Sequence, residues 1–425
     1  MKVLIISRGV PTAIAPLNGI FEWDQALALK NANVDVAFLA LDFRKITEKR
    51  FWGIRRYVRE GISVFELSLP TGVYRRALGL LQFWCKQMYK RVEKHWGKPD
   101  VLHSHFYFMG SIAAQLPALS GVPLVHTEHS SKLNKSLDAI SSLDKKLAQK
   151  AFAAASVITT VSTAYADRLH HNFGIKAQVV PNVLALVSPK RSLSLSNLCA
   201  RQAQSQTCLN YAEPQPKIFK GPFGLCQDST LTNQITESPH HQADNGITPF
   251  TWVSVGRLIQ PKGFDTLLEA FAQTLKEDAN QQLQIVGDGP YRGALQTKIQ
   301  QLHLTDKVKL LGAMPRNKVQ ECLANAHAFV LLSESETFGV SYIEAMALGL
   351  PVVATCCGGP SDFVNATNGC LVPVGDAAKA ADAMCKIKAQ YATYQPQQIA
   401  NEVLQKYAPA SVAKQLITQY QMLLP

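Results

Sequence analysis

Short apolar runs alternate with amphipathic helical patterns along this chain, and they do so twice, on either side of a long polar stretch. In the first half the runs fall at 3–6, 34–39, 101–104, 123–127 and 155–161, too short for core helices and bounded by turn residues. Helical patterns at 21–30, 74–96, 110–119 and 137–154 lie between them. The second half repeats the rhythm, with strands expected at 252–255, 282–286, 308–311, 328–332 and 351–354 and helices at 265–276, 291–302, 316–326 and 340–349. Strands joined through helices pair in parallel and need helices on both faces, so the pattern restricts the chain to two parallel-sheet α/β domains in tandem. Boundaries follow at 1–185 and 249–408, with a closing helix at 409–425 that carries Val412, Leu416, Ile417, Tyr420 and Leu423 on one face and packs back on the first domain. Residues 186–248, rich in Ser, Gln, Asn, Thr and Pro, read as an irregular insertion. It is either partly disordered or an ordered excursion packed on a domain.

Composition narrows the class. No apolar run approaches the roughly 18 residues that span a bilayer, and the opening Met1–Ser7 segment is too short for a signal h-region, so a cytoplasmic protein is expected. Nine cysteines show no Cys-x-x-Cys pair and no zinc spacing, which fits reduced thiols. The net charge of +12 is concentrated between Arg44 and Lys98, where fourteen Lys/Arg stand against four Asp/Glu. Phe51, Trp52, Tyr57, Phe83, Trp84 and Trp96 are interleaved there. Such a basic aromatic segment either meets an anionic membrane surface or covers the sheet with a solvated basic face. No nucleic-acid motif accompanies it, so nucleic acid is not an expected partner. A non-catalytic protein that docks on membrane or nucleic acid through residues 44–98 is the alternative to an enzyme.

Ligands of tandem parallel sheets bind beyond the carboxyl ends of the strands, and the polar signals of the second half fall there. After the strand at 252 come Gly256, Arg257, Lys262 and Gly263, two cations on one glycine-bearing loop, suited to a diphosphate. Gly287, Asp288, Gly289 and Pro290 form a turn after the next strand, and Leu311 with Gly312 offers backbone groups after the third. Glu336 precedes a helix that opens at Gly339 and Val340, and Glu344 lies about a turn and a half inside it. A helix start favours phosphate, and carboxylates accept from sugar hydroxyls.

Together these pieces resemble the retaining, family 4 glycosyltransferases of the GT-B fold. The likeness rests on Val255-Gly256-Arg257-Leu258 with Lys262-Gly263, on Val286 to Pro290, on Glu336-x7-Glu344 followed by Ala345-Met346-Ala347, on Gly358-Gly359, and on Asn368 to Pro373. In the first half it is looser, through Gly19-Ile20-Phe21, Pro99 to His105 and Thr127-Glu128-His129-Ser130. The resemblance implies two Rossmann-like domains facing a central cleft and a UDP- or GDP-sugar donor. Arg257 and Lys262 would neutralise the diphosphate, Glu344 would hold the ribose and Glu336 the hexose near the reacting carbon. His129 would sit by the sugar's C6 hydroxyl, while Gly19, Gly256, Gly287, Gly289, Leu311, Gly312, Phe338, Gly339 and Val340 would complete the donor site. His103 and His105 are expected to be structural. The family's hinge glycine is absent at Pro181-Asn182-Val183-Leu184, and Asp362 replaces the usual Glu after Gly358-Gly359, a shorter acid that keeps the charge.

The activity implied is transfer of a hexose, with retention, to a glycan or lipid-linked acceptor in cell-surface polysaccharide synthesis. No Asp-x-Asp occurs, so no metal is expected. Arg257, Lys262 and the helix start at Gly339–Val340 would carry the charge growing on the leaving diphosphate. Beyond the nucleotide sugar as co-substrate no cofactor is expected.

Overall fold

The computed structural model describes residues 1–12, 15, 17–43, 51–70, 78–185 and 248–424. Eight strands build the first sheet: Lys2–Ser7 (β1), Asp35–Asp42 (β2), Gly53–Arg59 (β3), Ile62–Ser68 (β4), Val101–His105 (β5), Leu124–Glu128 (β6), Val157–Thr160 (β7) and Gln178–Val179 (β8). Six build the second: Phe250–Val255 (β9), Gln281–Val286 (β10), Val308–Gly312 (β11), Ala328–Leu331 (β12), Val352–Thr355 (β13) and Gly369–Val372 (β14). The helices of the first half are Ile20–Asn31 (α1), Leu78–Trp96 (α2), Tyr107–Ala113 (α3), Leu116–Ser120 (α4), Ser142–Ala154 (α5) and Thr163–Phe173 (α6). Those of the second are Phe264–Glu277 (α7), Arg292–Gln301 (α8), Arg316–Ala324 (α9), Val340–Met346 (α10), Ala377–Ala389 (α11), Pro396–Tyr407 (α12) and Pro409–Gln421 (α13).

Strand order places the ligand crevices. The first sheet runs β3-β4-β2-β1-β5-β6-β7-β8 and the second β11-β10-β9-β12-β13-β14. Both reverse direction beside their first strand, between β1 and β5 and between β9 and β12, and crevices open at such switch points. Val3, Leu4, Ile5 and Ile6 of β1 are fully buried, the continuous apolar run of a strand covered on both faces.

The parallel expectation holds except at one edge. β3 pairs with β4 antiparallel, Arg56 opposite Phe65. This hairpin went unread in the sequence because Arg55, Arg56 and Arg59 stand among Ile54, Tyr57 and Val58 without a strict apolar/polar alternation, which looks like a charge run rather than a strand. The expected helix at 137–154 is a short 3-10 turn, Leu137–Ala139, and then α5, which restarts where the Ser141 hydroxyl accepts from Asp144 N at 3.1 Å. α6, α11, α12 and β14 were likewise not anticipated. Residues 186–247 of the expected insertion and the start of the basic helix at 74–77 lie outside the described residues.

α13 buries Val412, Ala413, Leu416 and Tyr420 in a cluster with Trp23, Ala26 and Leu29 of α1 and Phe38 of β2. Tyr420 reaches the first sheet itself, its hydroxyl 2.6 Å from His103 Nδ1 in β5. The domains also meet directly around the loop after β12. Asn134 Nδ2 donates to Ser335 Oγ at 3.1 Å, and Ser162 Oγ to the Thr337 carbonyl at 2.6 Å. Among the described residues, no helix is long and apolar enough to cross a membrane.

Candidate active site

The loops after β9, β10 and β12 are bonded into one surface at the second switch point. Leu258 N donates to Asp288 O at 3.0 Å, Gly287 N to Gly312 O at 2.9 Å, and Glu334 N to Pro261 O at 2.9 Å. The glycines serve this packing. A Cβ on Gly287, at φ 137°, would lie 1.9 Å from the Gly256 carbonyl oxygen. Gly19, at φ 72°, has the Gly9 carbonyl 2.1 Å from where its Cβ would be. At these two positions the space a side chain would need is taken by a neighbouring loop, so the fold itself requires glycine there.

Lys262 and Glu336 come together. Lys262 Nζ donates to Glu336 Oε1 at 2.5 Å, and Ser333 Oγ donates to the same oxygen at 2.8 Å. Both bonds converge on Oε1, and no described residue donates to Oε2. Glu344 repeats the design with a residue the sequence reading missed. Arg316, at the start of α9, donates from Nε and Nη2 to Glu344 Oε1 at 3.3 and 3.2 Å, again leaving Oε2. Burial pushes the Glu344 carboxyl up and the guanidinium opposes it. Arg257 is exposed and has no ion pair among the described residues. Leu311 is also exposed, while Phe338 is buried and packs edge-on to Phe363 and Tyr407. Gly339, at φ 101°, starts α10 at Val340, but that helix has only seven residues. Its contribution to an anion is its unpaired N–H groups more than a macrodipole.

Asp362 keeps an acid at its position and turns it to the other domain. Its carboxylate accepts from Thr163 N at 2.7 Å, so it caps α6 of the other domain.

Across the cleft, His129 follows β6 and is 5% exposed. Its Nε2 lies 2.9 Å from His105 Nδ1, and its Nδ1 is buried, with the Asn182 side chain acting on the ring as a hydrogen-bonding neighbour. Burial, then the Arg8 and His126 charges, hold its pKa down to about 3, so the imidazole is neutral at ordinary pH. Phe21 stacks on it at 6.1 Å, and Phe106 lies tilted against it at 5.0 Å. Phe106 has φ 62°, an uncommon conformation for a side-chain-bearing residue, and its ring also lies 4.2 Å under the Arg8 guanidinium. His103 is fully used, by Tyr420 on Nδ1 and by Thr127 Oγ1 at 2.6 Å on Nε2. It is structural, though through side chains rather than the backbone. Among the described residues no group of three His, Cys, Asp or Glu side chains is placed to hold a metal.

Two family models match, "Glycosyltransferase Family 4" over residues 23–186 and "Glycosyl transferases group 1" over residues 238–403, one for each domain. The chain belongs to the group 1 glycosyltransferases. The GT-B architecture agrees with solved structures. Sucrose-phosphate synthase from Thermosynechococcus elongatus superposes with a TM-score of 0.71 at 19% identity, covering 99% of this chain and 98% of that one. Anabaena HepE in complex with UDP and glucose gives a TM-score of 0.66 at 18% identity over 99% and 100% of the two chains. Among curated relatives, this glycosyltransferase is 32% identical over 192 residues to the putative colanic acid biosynthesis glycosyltransferase WcaL of Salmonella typhimurium, 44% of either chain. It is 26% identical to the putative teichuronic acid biosynthesis glycosyltransferase TuaC of Bacillus subtilis, over 91% of this chain and 89% of that one. The WcaL match thus spans less than half of that relative's length.

Arg316, Asp24, Ser333 and Phe106 were not found by sequence reasoning. Only Arg316 carried a signal, a cation directly after Pro315 at the start of a helix that follows a strand end.

Proposed function

We propose that this glycosyltransferase moves a hexose from a UDP- or GDP-sugar to a glycan or lipid-linked acceptor in surface polysaccharide synthesis, with retention of configuration and without a metal ion. The observation that carries the donor reading is the pair of half-occupied carboxylates, Glu336 on Lys262 and Glu344 on Arg316, each with Oε2 left to accept from a hydroxyl. In this reading Glu344 takes the ribose and Glu336 the hexose. Arg257 and Lys262 face the diphosphate, whose charge grows as the bond from the anomeric carbon to its oxygen breaks. The acceptor hydroxyl attacks from the face the diphosphate leaves and gives its proton to the departing phosphate oxygen, so no separate base is required. Neutral His129 stands beside the hexose in this reading. The names of WcaL and TuaC, and the UDP and glucose bound to HepE, support the polysaccharide and nucleotide-sugar parts of the reading.

A thermal-shift panel of UDP-, GDP- and ADP-sugars tests the donor. One of the first two should raise Tm in a concentration-dependent way, and NMR of the product should show the donor's own anomer. Inversion, or a Tm that none of them moves, would sink the reading.

The acceptor's surface has its own observation. The hairpin β3–β4 and α2 enclose a groove of about 350 Å³ lined by Arg55, Arg56, Arg91 and His95 over Phe65 and Met88. Arg55 is paired with Glu66 at 2.8 Å, whereas Arg56 and Arg91 are exposed with no carboxylate partner among the described residues. Cations around an apolar floor suit an anionic membrane surface. Binding to phosphatidylglycerol vesicles should weaken about five-fold for each of Arg56→Gln and Arg91→Gln and fall with salt. Binding that neither substitution nor salt changes would remove the membrane from the proposal.

A further inference from the structure

Arg316 serves two acids from two domains. While Nε and Nη2 hold Glu344, Nη1 donates to Asp24 Oδ2 at 3.2 Å and approaches Oδ1 at 3.5 Å. Asp24 lies on α1, in the first turn and a half after the Gly19 loop, and is 7% exposed. Burial lifts the Asp24 carboxyl to about 6, with Glu22 and Glu60 adding to the rise and Arg316 opposing it. Asp24 in turn adds to the rise at Glu344. One guanidinium therefore neutralises a pair of nearly buried carboxylates that would otherwise repel each other. Its planar fork fixes both geometries at once, which an ammonium would not do.

We propose that Arg316 is the positioning residue of the donor site: it holds Glu344 by Oε1 in one orientation with Oε2 left for the ribose, and Asp24 anchors that guanidinium from the first domain. The proposal rests on the reading of Glu344 as the ribose acid. It adds that the donor's grip in one domain depends on contact with the other. A carboxylate held by a rigid second residue keeps its geometry when the ligand arrives, whereas a loose one must be ordered at the ligand's expense.

Calorimetry with UDP, GDP and ADP as probes, at pH 6, 7 and 8, separates the two levels. The charged groups acting on the acid pair are Arg316 from α9, Glu22 from α1 and Glu60 from the β3–β4 turn. Glu344→Gln should weaken the nucleotide that binds the parent protein, whatever the fate of Arg316. Arg316→Gln should weaken it ten- to hundred-fold at pH 6, the loss expected for removing a charged hydrogen-bonding partner. Part of that loss should return by pH 8, because Glu344 without its cation ionises only as pH rises and the ionised form is the better acceptor. Arg316→Lys should restore part of the binding at pH 6 by returning the charge. Arg316→Gln with Asp24→Asn should flatten the pH dependence, since the second negative charge is gone. If Glu344→Gln weakens binding and Arg316→Gln does not, the positioning role fails alone. A loss that is equal at every pH and unrescued by lysine marks a merely structural residue and overturns it too. If Glu344→Gln leaves binding intact, or no probe binds, the donor reading itself falls.

Discussion

Replacing Lys262 with alanine is expected to lower kcat/KM for sugar transfer by about 10² to 10³, the usual effect of removing one preorganised group from a site of developing negative charge. Lys262 Nζ sits 2.5 Å from Glu336, so the substitution acts twice. It withdraws a cation from the diphosphate side, and it leaves the Glu336 carboxylate, 11% exposed at its side chain, with Ser333 as its remaining donor among the described residues. Charge on the leaving group is greatest in the transition state, so the fall should appear mainly in kcat, with a smaller rise in donor KM. Lys262→Arg, which keeps the charge with a different reach, should recover part of the rate. Initial rates of transfer and of donor hydrolysis measure this. Unchanged turnover in Lys262→Ala would show that the loop after β9 does not meet the donor.

The second large effect concerns stability. Tyr420→Ala should destabilise the first domain by about 3–5 kcal/mol, the range for deleting a buried aromatic side chain. Its ring is fully buried beside Val412, Leu416 and residues of α1, and its hydroxyl lies 2.6 Å from His103 Nδ1. Tyr420→Phe keeps the ring and strands a buried ring nitrogen, for about 1–3 kcal/mol. Two domains need not unfold together, so a single melting curve can merge them. Hydrogen exchange along β1, β2 and β5 is the sharper measurement. Protection there that survives Tyr420→Ala would make α13 an appendage rather than part of the first core.

Legibility tracked locality. Two parallel-sheet domains were readable because buried strands in such sheets are unbroken apolar runs, as in β1 and β12. The loops that carry Lys262, Glu336 and Glu344 were readable because each polar group follows its strand within a few residues and all three lie in one domain. Arg316 with Asp24 was not, because 292 positions separate them and no periodicity links residues of different domains. The β3–β4 hairpin was hidden for a different reason. Its strand faces outward at a sheet edge, and the arginines that keep an edge from pairing further also erase the apolar signal. Asp362 was read as a retained charge, but whether a carboxylate meets a ligand or caps α6 is settled by where the two domains touch, which one sequence does not display.

The bond between Tyr420 and His103 joins positions 317 apart. Domains tend to fold in the order they are synthesised, yet the sheet that emerges first here keeps an open apolar flank on α1 and β2 until α13 arrives. Synthesis order and completion order are opposed, so a nascent first domain carries exposed Trp23, Leu29 and Phe38 surface through the making of the whole second domain. During that interval a chaperone has its binding surface. A chain stalled before Pro409 would leave an unfinished domain prone to aggregate rather than a smaller working one.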